Sequence, residues 1–182
     1  MASTADDSTD GPPRALLIAA IAIAVGAIVA VLAVAVLRQA PAQEDPVPIA
    51  TVPAPQADSP DCTALMAALP EQLGDYRRAP AADPAPAGAA AWRAESVTEP
   101  VILRCGLDRP LDFVAGAPTQ VVEPVAWFEL TDADRSTWFA VDRPVYIALT
   151  LPSGSGPTPI QEISQAIAKT LPAKAVDPAP VR

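Results

Sequence analysis

The stretch Val125-Ala-Trp-Phe-Glu-Leu-Thr-Asp-Ala-Asp-Arg-Ser-Thr-Trp-Phe-Ala-Val-Asp-Arg-Pro-Val-Tyr-Ile-Ala-Leu-Thr-Leu151 decides the fold class. It holds three runs of β-branched, aromatic and aliphatic residues, parted by Thr131–Asp134 and by Asp142-Arg-Pro144. Such runs, broken by turn residues, predict an antiparallel meander. A four-residue first loop pairs Leu130 with Arg135 and sets Trp127 opposite Trp138. In the third run Val145, Ile147, Leu149 and Leu151 alternate onto one face. With that register Phe128, Phe139 and Ile147 share the core side, and Trp127, Trp138 and Tyr146 share the other. A slip of one residue inverts the assignment.

Working outward, Thr158 and Gln161 have capping-box spacing, with Pro159 at the first helical position. Ile160, Ile163, Ile167 and Leu171 then form an apolar stripe that Pro172 stops. On the N-terminal side Val101–Cys105 reads as a strand and Gly106 as a turn residue. Ala79–Ala91, nearly all alanine, proline and glycine, reads as an irregular loop. Ser59 and Pro60 open a short helix whose Cys62, Leu65, Met66 and Leu69 share a face, and Pro70 ends it. Cys62 and Cys105 are the whole cysteine content. A structural disulfide suits a domain this small, and neither a CxxC spacing nor a histidine favours a redox pair.

Residues 38–59 contain prolines 41, 46, 48, 53 and 55, and Pro60 follows. This predicts a polyproline-like spacer or a loose tether. Before it, Ala15–Leu37 is 23 residues without charge or proline. As a helix it spans roughly 34 Å, enough for a bilayer core. Arg14 and Arg38 flank it. A cleaved signal peptide has a shorter apolar run, so an uncleaved anchor is favoured over cleavage near Ala40-Pro41-Ala42. A short polar N-terminal tail and the confinement of cysteine to the far side put the N-terminus in the cytoplasm and the domain outside.

Composition removes several chemistries. The 182 residues include no histidine, 12 basic and 21 acidic side chains, a net charge of −9. Histidine-based catalysis and histidine metal ligation are excluded, and an acidic chain argues against nucleic-acid binding. Three candidate sites remain. The Trp127, Trp138 and Tyr146 face can stack on sugars or anchor a partner, unless another element covers it. Arg104 can fork onto a carboxylate or phosphate, or form a structural ion pair. Glu129, Asp132, Asp134 and Asp142 can serve as a hydrolase pair or a Ca²⁺ loop, though solvated turn acids explain them better.

Cys62-Thr-Ala-Leu65, Leu69-Pro70, Ala91-Trp92, Leu103-Arg-Cys-Gly106, Val125-Ala-Trp127, Trp138, Arg143 and Leu171-Pro172-Ala173 occur here in a characteristic order. Together they resemble an actinobacterial family catalogued as domain of unknown function 3515. The resemblance covers Cys62 to Ala173 and implies an exported or membrane-anchored envelope protein. It supplies no catalytic residues, and Arg93 stands where it leads one to expect a glycine.

The expected architecture is α+β. A tail (1–14), a transmembrane helix (15–37) and an Ala/Pro-rich linker (38–59) precede an extracytoplasmic domain (60–175) with an antiparallel sheet, two packed helices and one disulfide. A disordered tail (176–182) ends it. The expected function is that of a non-enzymatic interaction or accessory module of the cell envelope, without cofactor or metal. It sits in the bilayer, has an envelope protein partner and binds no nucleic acid. A glycan-binding module or a carboxylate-dependent envelope hydrolase is the alternative.

Overall fold

A computed structural model describes residues 14–38, 46–95, 97–132 and 135–181. The chain divides into two units, Met1–Gln43 and Glu44–Arg182. The first contains α1 (Arg14–Arg38), whose Leu17–Val34 segment is long and apolar enough to cross a membrane. The described side chains of α1 are all exposed. The tail before residue 14, the Ala40-Pro41-Ala42 segment and the side chains of Arg14 and Arg38 lie outside the described residues.

The second unit is α+β. Its helices are α2 (Pro60–Ala68) and α3 (Thr158–Thr170). Its strands are β1 (Gln72–Leu73), β2 (Tyr76–Ala79), β3 (Ala89–Ala94), β4 (Val97–Leu107), β5 (Gln120–Val122), β6 (Val125–Asp132), β7 (Arg135–Ala140) and β8 (Tyr146–Pro152). They form one antiparallel sheet in the order β1-β2-β3-β4-β8-β7-β6-β5. Two local meanders are thus joined at the centre, where β4 pairs with β8. Both helices pack on one face. Cys62, Leu65 and Leu69 of the α2 region and Ile160, Ile163, Ile167 and Leu171 of the α3 region bury against Trp92, Leu103, Trp127, Ile147 and Leu149. The expected stripes therefore bury as read, with Met66 half-buried at their margin. Ser59 caps α2, its hydroxyl accepting from the Cys62 N–H at 3.3 Å. The capping box expected on α3 does not form. Pro157 occupies the cap position and Thr158 is already helical, so no side chain caps this end.

The meander is present, with its register corrected. Asp132 pairs with Arg135, so the β6–β7 loop has two residues rather than four. Trp127 then faces Ala140 and Trp138 faces Glu129. A shift of two keeps side chains on their faces, so Trp127 and Trp138 still share one side. The third strand is displaced by one. Trp138 pairs with Leu149 and Ala140 with Ile147, which puts Ile147 on the tryptophan side and Tyr146 on the phenylalanine side. The tryptophan side is the one that the helices cover, and the larger core forms there. Phe113, Phe128 and Val141 build a smaller core on the other side, with Phe113 and Phe128 ring centroids 5.3 Å apart.

Three segments expected to lack structure have it. Strand β3 begins at Ala89, inside the presumed loop, and Arg93 lies in that strand rather than in a turn. Residues 46–57, the far half of the expected spacer, form a strap across the outer face. Val47 and Ile49 are buried against Ala79 and Ala91, with Ala81, Ala89 and Ile102 packed around them. The N–H of Val47 donates to Pro80 O at 2.8 Å, and its carbonyl accepts from the Ala82 N–H at 2.8 Å. Pro46 and Pro48 lack donors, but the intervening Val47 supplies one, and alanine side chains leave room for the strap to lie flat. Near the C-terminus, Ala179 brackets Phe113 and Ala115, donating to Phe113 O at 2.9 Å and accepting from Ala115 N at 2.7 Å. The expected disordered tail is therefore docked as far as Ala179, and Arg182 lies outside the described residues.

Candidate binding groove

The structure scatters the predicted interaction surface and leaves one tryptophan open. Trp127 is fully buried, and its indole N–H donates to the buried Ser164 hydroxyl of α3 at 2.9 Å. It joins the sheet to the helix. Trp92 does the same for α2, donating to Pro70 O at 2.9 Å, with the Arg78 guanidinium 4.8 Å above its ring. Tyr146 is half-buried on the opposite face, its hydroxyl 3.4 Å from Asp177 O. Burial there raises its pKa. Arg104 also lies on the outer face, donating to Ala50 O of the strap at 3.3 Å. Its Nε is buried without a partner among the described residues, and burial lowers its pKa. No carboxylate forms an ion pair with Arg104 among the described residues. Arg104 instead holds the strap.

Trp138 is different. It is half-buried, and its indole N–H donates to no group among the described residues. It sits in a groove of about 430 Å³ between strands β5–β8 and the start of α3. Glu129 lies beside it as its cross-strand neighbour. Gln120, Val122, Ser136, Leu151 and Pro152 complete the strand wall, and Ser155, Pro157, Ile160 and Gln161 form the opposite one. Gly154 and Gly156, at φ of +78° and +71°, carry the connecting loop over the rim, and neither has a neighbour that a side chain would meet within 4 Å. The groove therefore offers one aromatic plate, an aliphatic floor, amide and hydroxyl groups and one carboxylate, Glu129, which accepts from the Thr131 hydroxyl at 3.4 Å.

The other predicted acids lie elsewhere. Asp132 is exposed at the end of β6, and Asp134 is outside the described residues. Asp142 pairs with the buried Arg143 at 2.8 Å. Arg143 also donates to Pro124 O at 2.6 Å, so this pair locks the turns at the base of the meander. No group of three metal-ligating side chains occurs among the described residues. Sequence reasoning missed the loop 153–157 and Gln161 as groove walls. A Ser-Gly-Ser-Gly run signals a turn but not what it leans over.

Cys62 and Cys105 are joined in a disulfide between α2 and β4, both fully buried. No curated protein and no solved structure matches the chain. A family model does match it, over residues 21–176. The span takes in part of α1 and nearly all of the second unit, and on that match the chain belongs to the family described as "Protein of unknown function (DUF3515)".

Proposed function

We propose that this chain is a single-pass, membrane-anchored binding module of the cell envelope, and that the groove at Trp138 takes a glycan segment without cleaving it. In this reading α1 is the anchor, the N-terminus is cytoplasmic and the second unit is extracytoplasmic. The disulfide supports that placement, because such bonds persist in oxidising compartments. The observation that carries the reading is the contrast among the three tryptophans. Two have buried, satisfied indoles, while Trp138 has no hydrogen-bond partner for its N–H among the described residues and lines a groove that combines an apolar floor with amide and hydroxyl groups. Aromatic plates flanked by such groups suit sugar rings, and the volume falls in the range of small-ligand pockets. A single carboxylate lines the groove among the described residues. Glycoside hydrolysis ordinarily needs two, spaced across the bond, which supports binding without chemistry.

The test is photo-cross-linking in living cells, with a reactive amino acid at the exposed groove residue Gln161, followed by mass spectrometry of the captured material. Intact glycan is the expected product. Capture of a discrete protein instead would replace the glycan by an envelope protein partner. Cleaved glycan accumulating with the purified protein would overturn the non-enzymatic reading.

A further inference from the structure

The outer face of the sheet holds a second cleft, of about 290 Å³, beside the strap and on the face opposite Trp138, sharing Pro152 with the first groove. Arg93 and Arg135 both line it, with the hydroxyls of Thr98 and Thr150 and the carboxylate of Glu99. Glu99 is engaged by Arg135, at 3.2 Å. Arg93 has no carboxylate within ion-pair distance among the described residues, and its Nε is buried without a hydrogen-bond partner. Its cross-strand neighbour is another cation, Arg77, directly opposite in the β2–β3 register. Like charges in that position repel and destabilise a sheet. Both groups are guanidinium cations, so the pair places a local surplus of positive charge beside the cleft. In a chain of net charge −9 this is an unusual concentration.

Each of these features is met by one kind of guest. An oxyanion with two or three oxygens offsets the Arg77–Arg93 repulsion, accepts from the forked Arg93 donors and takes further bonds from Arg135 and the Thr98 hydroxyl. We infer that this cleft is an anion-binding site for a phosphate group, with Arg93 as its principal ligand and Arg135 and Thr98 as secondary ones. The phosphate can come from a lipid headgroup or from free phosphate, since both present the same oxygens.

The experiment uses the full-length chain in phosphate-free detergent, with phosphorus NMR and calorimetric titration. The probes are inorganic phosphate and a short-chain, soluble phosphatidylglycerol, each against sodium chloride of matched ionic strength. Saturable binding is expected, weakened about tenfold or more by Arg93→Gln through loss of a charge-assisted contact. Arg109→Gln removes the same charge beside Asp177 and should leave the affinity unchanged. Arg93→Lys keeps the charge and should weaken binding in part, which preserves the test if the glutamine variant does not fold. Tighter binding of the lipid than of phosphate assigns the headgroup as the source, and the reverse assigns the free anion. Absence of saturable binding beyond the chloride control, or equal affinity in wild type and both folded Arg93 variants, overturns the inference.

Discussion

Replacing Gly106 by alanine should damage the second unit far more than the same change at Gly116. Gly106 has φ of +86° and lies in β4, where the register with β8 shifts between Cys105 and Leu107. A methyl group there would fall inside contact distance of Gln56 C and Ala57 N, and 2.6 Å from Gln56 O. Those are backbone atoms and cannot rotate aside. Gly106 O also accepts from the Gln56 N–H at 3.0 Å, so strap and strand touch through their main chains. The substitution therefore carries two penalties. Forcing a β-carbon into the left-handed region costs about 1–2 kcal/mol. Lifting the strap loses a hydrogen bond worth about 1 kcal/mol and part of the burial of Val47 and Ile49, each worth about 1.5–3 kcal/mol in full. The sum is about 3–5 kcal/mol. Gly116 has nearly the same φ, +88°, with nothing within 4 Å of an added methyl, so Gly116→Ala should show the first penalty alone. The assay is urea unfolding of both full-length variants in mild detergent, followed by near-ultraviolet circular dichroism. Limited proteolysis between residues 46 and 59 reports the strap separately. Equal losses in the two variants, or a strap equally protected in both, would refute the reasoning.

Other expected outcomes follow from the same contacts. The disulfide spans a sequence separation of 43, and Cys62→Ala with Cys105→Ala should lower stability by about 4 kcal/mol on the chain-entropy relation, read by urea unfolding. Alkylation of the unreduced wild type should label no thiol. Ser164→Ala strands the Trp127 indole N–H in the core and should cost about 1–3 kcal/mol in the same unfolding assay. Tyr76 has a buried hydroxyl without a partner among the described residues, and its pKa is raised by burial and then by Asp75. A raised folded pKa means that stability is intact below the ordinary phenol value near 10 and falls as pH rises through the higher folded value. Tyr76→Phe should be neutral or stabilising by up to about 1 kcal/mol at neutral pH, and should flatten the alkaline decline in melting temperature.

What could be read from the sequence depended on how local the cause was. The isoleucine stripe of α3, the Ser59 cap and the sharing of one sheet face by Phe128 and Phe139 and of the other by Trp127 and Trp138 rest on spacing of three, four or two residues, and all are present, although Trp127 does not pair with Trp138. The disulfide followed from having two cysteines and a small domain. Errors arose where long-range packing chose among local options. The side of the sheet that the helices cover is the one where Trp127 meets Ser164, 37 residues away, a contact that no local spacing signals. The displacement of β8 follows from its pairing with β4, which no local pattern encodes. The strap and the alanine-rich β3 were illegible for a shared reason. Alanine and proline signal irregularity alone, yet a flat alanine surface and a Val47/Ile49 alternation are complementary once brought together. Of the candidate surface, Trp138 lines a groove, while Trp127, Tyr146 and Arg104 hold the fold together.

The strap and the disulfide together fix how this unit would bear load if pulled from its N-terminal side. Tension first meets the Val47 bonds to Pro80 and Ala82, then the Gln56–Gly106 bond. Peeling them frees the chain as far as the start of α2, an extension of at most about 55 Å at the reach of an extended chain. There the sulfur bridge diverts the force from Cys62 straight to Cys105, so residues 63–104 stay slack and cannot be unspooled. The load arrives on β4, which is bonded to β3 on one side and β8 on the other. Under such a load the strap would yield first and could re-dock on release, with the covalent bridge as the stop behind it.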